Sequence, residues 1–294
     1  MDITKILNNR RMSMALIGLS KEKFFELLPV FEGVLLDYLQ KKTRIRRVGG
    51  GRIGKIKNPE QKLFFILFYM KNYPTFDVCA FLFGSSKTSV CDWAHDIAPI
   101  LEKTLGRQMV LPERQIKTPE EFFRLFPGVK EVMIDGLERP TIRSRKDKVQ
   151  NKHYSGKKKR HTRKNDIIVD KTRRILVMTP TKHGRVHDKK MSDKFILVSR
   201  IPKEVSIITD TGFLGIANQH DNVLIPKKRS KNIALTDQEK LWNMVISSYR
   251  IVVEHAIAGL KRFRCASEIF RNKNGFDDIL MRMSAGLWNF HLQG

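Results

Sequence analysis

Two short apolar runs in the second half of the chain each end in an aspartate. Residues 132–134 lead to Asp135 and residues 205–209 lead to Asp210, and a glycine follows each aspartate within two residues. A carboxylate at a buried strand end is costly unless it meets a cation, and two such carboxylates side by side repel until a divalent ion separates them. One such aspartate is more often a turn former. The repeated context favours a magnesium or manganese site, because both ions prefer oxygen ligands.

The order of the predicted elements constrains the fold around these aspartates. The elements are strands at 132–134, 167–169 and 175–178, a helix at 191–199, a strand at 205–209 and a helix at 236–263. Thr236 and Glu239 form a capping box at the start of the last helix. This order is that of an RNase H-like core. We therefore expect an α/β protein whose mixed-sheet catalytic domain covers residues 131–294.

The long predicted helix carries a third acid. One stripe of this helix holds Ser247, Arg250, Glu254 and Lys261, and the neighbouring apolar stripe holds Ile246, Val253, Ile257 and Leu260. The helix is therefore expected to pack on one face and to present an acid between two bases on the next. Taken alone, the motif is better explained by a surface ion pair between Arg250 and Glu254, worth about 0.3 kcal/mol.

The charge of the chain indicates its partner. There are 56 Lys and Arg against 30 Asp and Glu, a net charge of +26. This excess implies nucleic acid first and an anionic membrane surface second, although a ribosome-like or merely basic protein would share it. No apolar run approaches the ~18 residues of a membrane span, so we expect a cytoplasmic, nucleoid-associated protein without a membrane partner. Cys79, Cys91 and Cys265 lack CxxC spacing and predict neither a zinc site nor disulfides.

Two basic segments are candidates for binding DNA phosphates. Residues 41–57 hold eight basic residues and three consecutive glycines, which predicts a flexible arm. This arm fits GxxxxGK, but Ile56 replaces the required Ser or Thr, so we expect no nucleotide cofactor. Residues 139–164 hold twelve basic residues and one acid, and we expect a loop beside Asp135. Solvated loops of this composition are common; here Lys157, Lys158, Lys159 and Arg160 are the candidate phosphate contacts.

The part of the chain before residue 131 is expected to be helical. Residues 1–57 form a helical N-terminus and the basic arm, residues 58–107 a helix-turn-helix region, and residues 108–130 a connector. In the second region Pro59 suits a helix start, Gly84 breaks a helix at 76–83, and the following serines can cap the next helix. An ordinary helical hairpin would show the same spacing. The outward-facing candidates for DNA contact are Lys87, Thr88 and Ser89, with Asp92 suited only to a cytosine amino group.

Several of these stretches resemble the DDE transposases of bacterial insertion sequences. The similarity is greatest to the insertion sequence 5 group and extends more distantly to the Harbinger transposases. The matching stretches are residues 134–140 (IDGLERP), 154–162 (YSGKKKRHT), 184–188 (GRVHD) and 209–213 (TDTGF), and Arg250-x3-Glu254-x6-Lys261. The resemblance runs from about Pro59 to the C-terminus. It departs from the family pattern at Ser247, where a tyrosine is often found, and this puts the subgroup in doubt.

The resemblance implies a specific activity. Asp135, Asp210 and Glu254 would bind two Mg²⁺ ions, with Mn²⁺ as a substitute, to cleave the ends of an insertion sequence and join them to target DNA. The implied partners are double-stranded DNA, as terminal inverted repeats and target, and further copies of the chain on that DNA. Arg250 and Lys261 share the stripe of Glu254 but cannot bind cations, so we assign them to the DNA backbone.

Other readings remain open from the sequence. His255 follows Glu254, but adjacent helical residues point about 100° apart, which favours a packing or supporting role. His187 and Asp188 could support the site without binding metal. The chain could also be a DNA-binding protein with an inactive site, although no catalytic acid is replaced. A structure-specific nuclease of RNase H type without strand transfer is the other alternative, and the predicted DNA-reading region argues against it.

Overall fold

A computed structural model describes residues 2–41, 55–213, 215–229, 234–272 and 275–293. Most of the basic arm predicted over residues 41–57 lies outside the described residues. The helices are α1 (Ile3–Leu7), α2 (Arg10–Leu16), α3 (Lys21–Lys41), α4 (Pro59–Asn72), α5 (Phe76–Phe83), α6 (Lys87–Arg107), α7 (Pro119–Leu125), α8 (Asp147–His153), α9 (Asp188–Lys194), α10 (Asp237–Lys261) and α11 (Phe276–Leu292). The strands are β1 (Glu131–Pro140), β2 (Tyr154–Ser155), β3 (Arg160–Asp170), β4 (Ile175–Met178), β5 (Lys182–His183), β6 (Ser206–Thr209) and β7 (Val223–Leu224).

The chain divides into two compact units. The first comprises Met1–Leu111, Lys261–Glu268 and Asn272–Gly294, and the second comprises Pro112–Leu260 and Ile269–Arg271. The sequence had grouped residues 131–294 together, whereas the structure places α11 with the N-terminal helices. The reason is local packing: Arg282 of α11 lies 3.0 Å from Glu102 of α6, and the Asn289 side chain donates to the Val110 carbonyl.

The first unit contains the predicted helix-turn-helix arrangement. Asn58 caps α4 by accepting from the backbone N–H of Gln61, and Pro59 occupies the first turn, as expected. Helix α5 has the predicted bounds and ends at Gly84, whose φ of 59° favours glycine. Ser86 then caps α6. Helix α6 continues past Pro99 to Arg107.

The second unit is built on a mixed sheet, as the sequence predicted. The strand order is β2-β3-β1-β6-β7, and β4 and β5 also pair with β3. Strand β3 runs antiparallel to β1, whereas β6 runs parallel to β1. The apolar residues of β1, β3, β4 and β6 form one core with α7. The capping box of α10 is confirmed, since Thr236 and Glu239 each accept the other's backbone N–H, at 3.0 and 3.2 Å.

The basic stretch after Asp135 differs from the prediction of a loop. Strand β1 continues to Pro140 and β3 begins at Arg160, so that Arg139 pairs with Arg163. Helix α8 and strand β2 lie between them. The backbone hydrogen bonds of the antiparallel pair account for strands whose side chains are charged. Lys157, Lys158 and Lys159 do lie in a turn between β2 and β3, as expected of phosphate contacts.

The helix predicted over residues 191–199 is also shifted. The structure has α9 at Asp188–Lys194, with His187 at its N-cap. An acid in the first turn suits the positive end of the helix, so Asp188 marks the start better than the apolar residues that follow it. Within the described residues, no helix is long and apolar enough to cross a membrane.

Candidate active site

Asp135 and Asp210 lie side by side on neighbouring parallel strands. The register pairs Ile134 of β1 with Thr209 of β6, so the aspartates that follow them occupy the same level of the sheet. The Thr209 hydroxyl donates to the Ile134 carbonyl at 3.1 Å and ties the two strands together one residue before the acids. The structure therefore brings together the two aspartates that the sequence singled out.

Backbone N–H groups hold both carboxylates. The N–H of Gly136 donates to Asp135 Oδ1 at 2.7 Å, and that of Gly212 donates to Asp210 Oδ1 at 2.9 Å. Thr211 Oγ1 also donates to Asp210 Oδ1 at 3.0 Å. These contacts fix one oxygen of each acid.

The two aspartates differ in their electrostatic surroundings. Burial raises the pKa of Asp135, the charge of Asp210 raises it further, and the Gly136 N–H and Arg250 only partly offset this. Burial alone would also raise the pKa of Asp210, but its hydrogen bonds from Gly212 and Thr211, with the charge of Arg250, bring it below the usual value. Two neighbouring acids with opposite shifts are arranged to share a cation or a proton.

Arg250 lies between Glu254 and the pair of aspartates. Arg250 Nη2 lies 3.8 Å from Asp210 Oδ2 and 3.9 Å from Glu254 Oε1. The Glu254 side chain is 61% exposed, whereas Val253 beside it is buried in the core, in agreement with the two predicted stripes. Among the residues that the structure describes, no three acids, histidines or cysteines are placed closely enough to enclose a metal ion. The pair of aspartates is thus formed, and the Glu254 carboxylate lies on the far side of the Arg250 guanidinium.

A second layer of charged groups lies directly behind the aspartates, and sequence reasoning missed most of it. Asp166 of β3 pairs with Gly136 and is fully buried. Lys164, on the same strand, forms ion pairs with Asp188 at 2.7 Å and Glu138 at 3.3 Å. The one available signal was the polar run of residues 164–166 directly before an apolar strand, where burial of a charge requires a partner.

The other residues that were predicted to contact DNA lie in several parts of the structure. Lys157 is close enough to the aspartates for its charge to lower the pKa of both. Arg160 is the first residue of β3 and is exposed. In the first unit, Lys87 and Thr88 are exposed at the start of α6, Ser89 is half-buried, and Lys87 forms an ion pair with Asp77 at 2.9 Å. Lys261 is the last residue of α10. Asp92 and His255 are both exposed, so His255 does not pack in the core.

The structure thus combines a mixed sheet, two aspartates at neighbouring strands and an exposed acid on the long helix beyond Arg250. A family described as "DDE superfamily endonuclease" matches residues 134–289, and one described as "Helix-turn-helix of DDE superfamily endonuclease" matches residues 54–107. The chain belongs to the DDE superfamily of endonucleases.

A curated relative is similar over most of its length. It is the "Probable transposase for insertion sequence element IS702" of Microchaete diplosiphon, 28% identical over 235 residues, which are 79% of this chain and 80% of the relative. No solved structure matches the chain.

Proposed function

We propose that the protein is a DNA transposase that cleaves the ends of an insertion sequence and joins them to target DNA with divalent metal. The observation that carries this proposal is the pair Asp135 and Asp210 at one level of adjacent parallel strands, with Arg250 between them and Glu254. Membership of the DDE superfamily and the similarity to an insertion-sequence transposase support it.

The charges around the site fit a divalent cation. In a chain with a net charge of +26, acids outnumber bases here: Asp135, Asp210 and Glu254 lie near Arg250 and Lys157. Carboxylate oxygens are the ligands that Mg²⁺ and Mn²⁺ prefer. Asp135, Asp210 and Glu254 are the residues that would hold the ions. When bound, two such ions stabilise the attacking and leaving oxygens of an in-line displacement.

The residues of the chain then position the DNA. Arg250 neutralises the acids of the free protein, and we assign its guanidinium to a phosphate of the cleaved strand once DNA is present. Lys157, whose charge already acts on both aspartates, would hold a neighbouring phosphate. Lys261, on the same helix as Arg250, would contact the DNA backbone further along the strand. Positioning and charge neutralisation suffice for this chemistry, and no protein side chain acts as nucleophile.

Two successive displacements account for the reaction. In the first, a water oxygen bonds to phosphorus, the bond from phosphorus to the 3′ oxygen breaks, and this oxygen leaves as a 3′-hydroxyl. In the second, that hydroxyl attacks a phosphodiester of target DNA and displaces its 3′ oxygen, which takes the proton. Both use the same acids, because both are in-line transfers at phosphorus.

The helix-turn-helix in the first unit is the proposed reader of the element's ends. Lys87 and Thr88 in the first turn of α6 are exposed, as residues that enter a major groove must be. We assign the terminal inverted repeats to this region and propose that further copies of the chain join on the paired ends. Without metal, the full chain is expected to prefer end DNA over scrambled DNA of equal length.

The test uses the full chain, DNA that carries the element's two ends, and a target plasmid. With Mg²⁺ we expect a nick at each junction that leaves a 3′-hydroxyl, followed by joined products. Joining without a preference for the ends would remove the recognition role. Cleavage without joined products would favour the nuclease alternative, and no cleavage of end DNA in Mg²⁺ or Mn²⁺ would overturn the proposal.

A further inference from the structure

Asp188 lies at the same site although it comes from a different element. It occupies the first turn of α9. Its Oδ1 is only 2.9 Å from the position that a Cβ on Gly136 would take, and its Oδ2 is 3.4 Å from the corresponding position on Gly212. Gly136 and Gly212 are the residues whose N–H groups hold Asp135 and Asp210. The Asp188 carboxylate therefore lies against the backbone of the two glycines that hold the aspartates.

A buried lysine holds this carboxylate in place. Lys164 Nζ lies 2.7 Å from Asp188 Oδ1 and 3.3 Å from Glu138 Oε1, and it donates to the Val186 carbonyl at 3.1 Å. The side chains of Lys164, Asp188 and Glu138 are each 15% exposed or less. Burial would lower the pKa of Lys164, but the contacts with Asp188 and Glu138 raise it above its usual value, so the lysine stays charged. A buried pair of this kind restricts geometry more than it adds stability.

The neighbouring Asp166 is pushed toward its neutral form, because burial, and then the charge of Asp188, raise its pKa well above the usual value. It is fully buried, and neither carboxylate oxygen has a hydrogen-bond partner among the described residues. Its Oδ1 lies 3.6 Å from the Cβ position of Gly136, on the side where Asp188 also approaches. Lys164 thus carries one positive charge against the two carboxylates that contact it, those of Glu138 and Asp188. Such a surplus of negative charge favours a cation in front of it.

We propose that Asp188 is a positioning residue of this site. Held by Lys164, its carboxylate sets the spacing of the backbone after Asp135 and Asp210, and its charge strengthens cation binding there. This rests on the proposed function, because it presupposes that the aspartates hold a divalent ion. It also explains why residue 136 is a glycine, since a Cβ there would lie 2.9 Å from the Asp188 carboxylate.

The experiment compares Asp188→Asn with Asp193→Asn in the full chain. Both replacements remove one negative charge from α9 and keep the size of the side chain. Asp193 is the matched control, because it lies on the same helix and its partners are Lys189 and Gln219 rather than Lys164. Mn²⁺ binding is measured by the spin-resonance signal of the free ion, with melting temperature and Mg²⁺-dependent cleavage of end DNA measured in parallel.

We expect Asp188→Asn to weaken Mn²⁺ binding about tenfold or more, because it removes a charge held close to the ion in a poorly solvated site. Raised Mg²⁺ should restore most of its cleavage, and Asp193→Asn should bind Mn²⁺ as the wild type does. If Asp188→Asn does not fold, Asp188→Glu replaces it, since it keeps the ion pair with Lys164 but displaces the carboxylate, and weaker binding is again expected.

The outcomes separate this inference from the proposed function. A folded Asp188→Asn, or the Glu variant in its place, that binds Mn²⁺ like the wild type would overturn the role of Asp188 alone. The same holds if the melting temperature falls and the Mn²⁺ affinity does not, since the role is then merely structural. A wild-type protein that binds no Mn²⁺ and cleaves no end DNA would overturn both.

Discussion

Replacing Glu254 by glutamine separates a catalytic acid from a surface ion pair. The change keeps the size of the side chain and removes one negative charge. As a structural element Glu254 contributes little, because its side chain is 61% exposed and its carboxylate lies 3.9 Å from Arg250. An exposed pair of this kind on a helix is worth at most ~0.5 kcal/mol. The expected change in melting temperature is therefore only about 1–2 °C.

The expected effect on cleavage is far larger. If Glu254 holds a metal ion, the loss of its charge should remove several kcal/mol of transition-state stabilisation, and ~3 kcal/mol already slows the reaction more than ~100-fold. The two explanations thus differ by about two orders of magnitude in rate at nearly unchanged stability. This gap is wide enough to decide between them.

The assay is Mg²⁺-dependent nicking of end DNA by the full chain. Asp237→Asn is the control, since Asp237 is an exposed acid on the same helix with an ion pair to Lys240. Arg250→Ala should weaken DNA engagement and slow nicking without lowering metal affinity. Nicking at the wild-type rate by a folded Glu254→Gln protein would refute the assignment of the third acid.

Three further predictions concern binding and stability. DNA affinity should fall roughly 10³- to 10⁵-fold between 50 and 200 mM salt if six to ten phosphates are neutralised, and a flat response in a filter-binding titration would contradict this. Burial, and then the charges of His183 and its neighbours, lower the pKa of His153 to about 4. As the pH falls, the unfolded chain therefore binds a proton at His153 before the folded chain does. The free energy of unfolding should decrease as the pH falls from about 6.5 to about 4. His153→Asn should flatten that pH dependence in denaturant titrations, and an unchanged pH dependence would argue against it. Gly184→Ala should destabilise the fold by about 1–3 kcal/mol, because its Cβ would collide with the Thr162 hydroxyl and lie 2.8 Å from the Thr162 carbonyl oxygen. Gly156→Ala should not destabilise the fold, because no atom lies within 4 Å of its Cβ. Equal stabilities of the two variants would show that the structure around residue 184 relaxes.

Local signals in the sequence predicted the elements that carry the acids. Apolar runs located the strands before Asp135 and Asp210, and the capping box at Thr236 located the start of α10. Pro59 and the serines after Gly84 likewise located the starts of α4 and α6. These elements are set by residues within a few positions of each other, so a single sequence contains the required information.

Contacts between distant residues could not be predicted in the same way. Strand β1 extends through charged residues to Pro140 because β3 pairs with it, and nothing near Arg139 in the sequence reveals that partner. The ion pair of Lys164 with Asp188 joins residues that lie on different elements. Helix α11 contacts α6 through Arg282 and Glu102, and this pair too joins residues that lie far apart in the sequence.

The central claim is that Asp135 and Asp210 hold the metal that drives DNA cleavage. The most direct measurement is the formation of a 3′-hydroxyl at the element's ends by the full chain in Mg²⁺, compared with Asp135→Asn and Asp210→Asn. The predicted result is cleavage by the wild type and a loss of at least ~100-fold in either variant, with folding and metal-free DNA binding retained. Cleavage at the wild-type rate by either folded variant would contradict the claim.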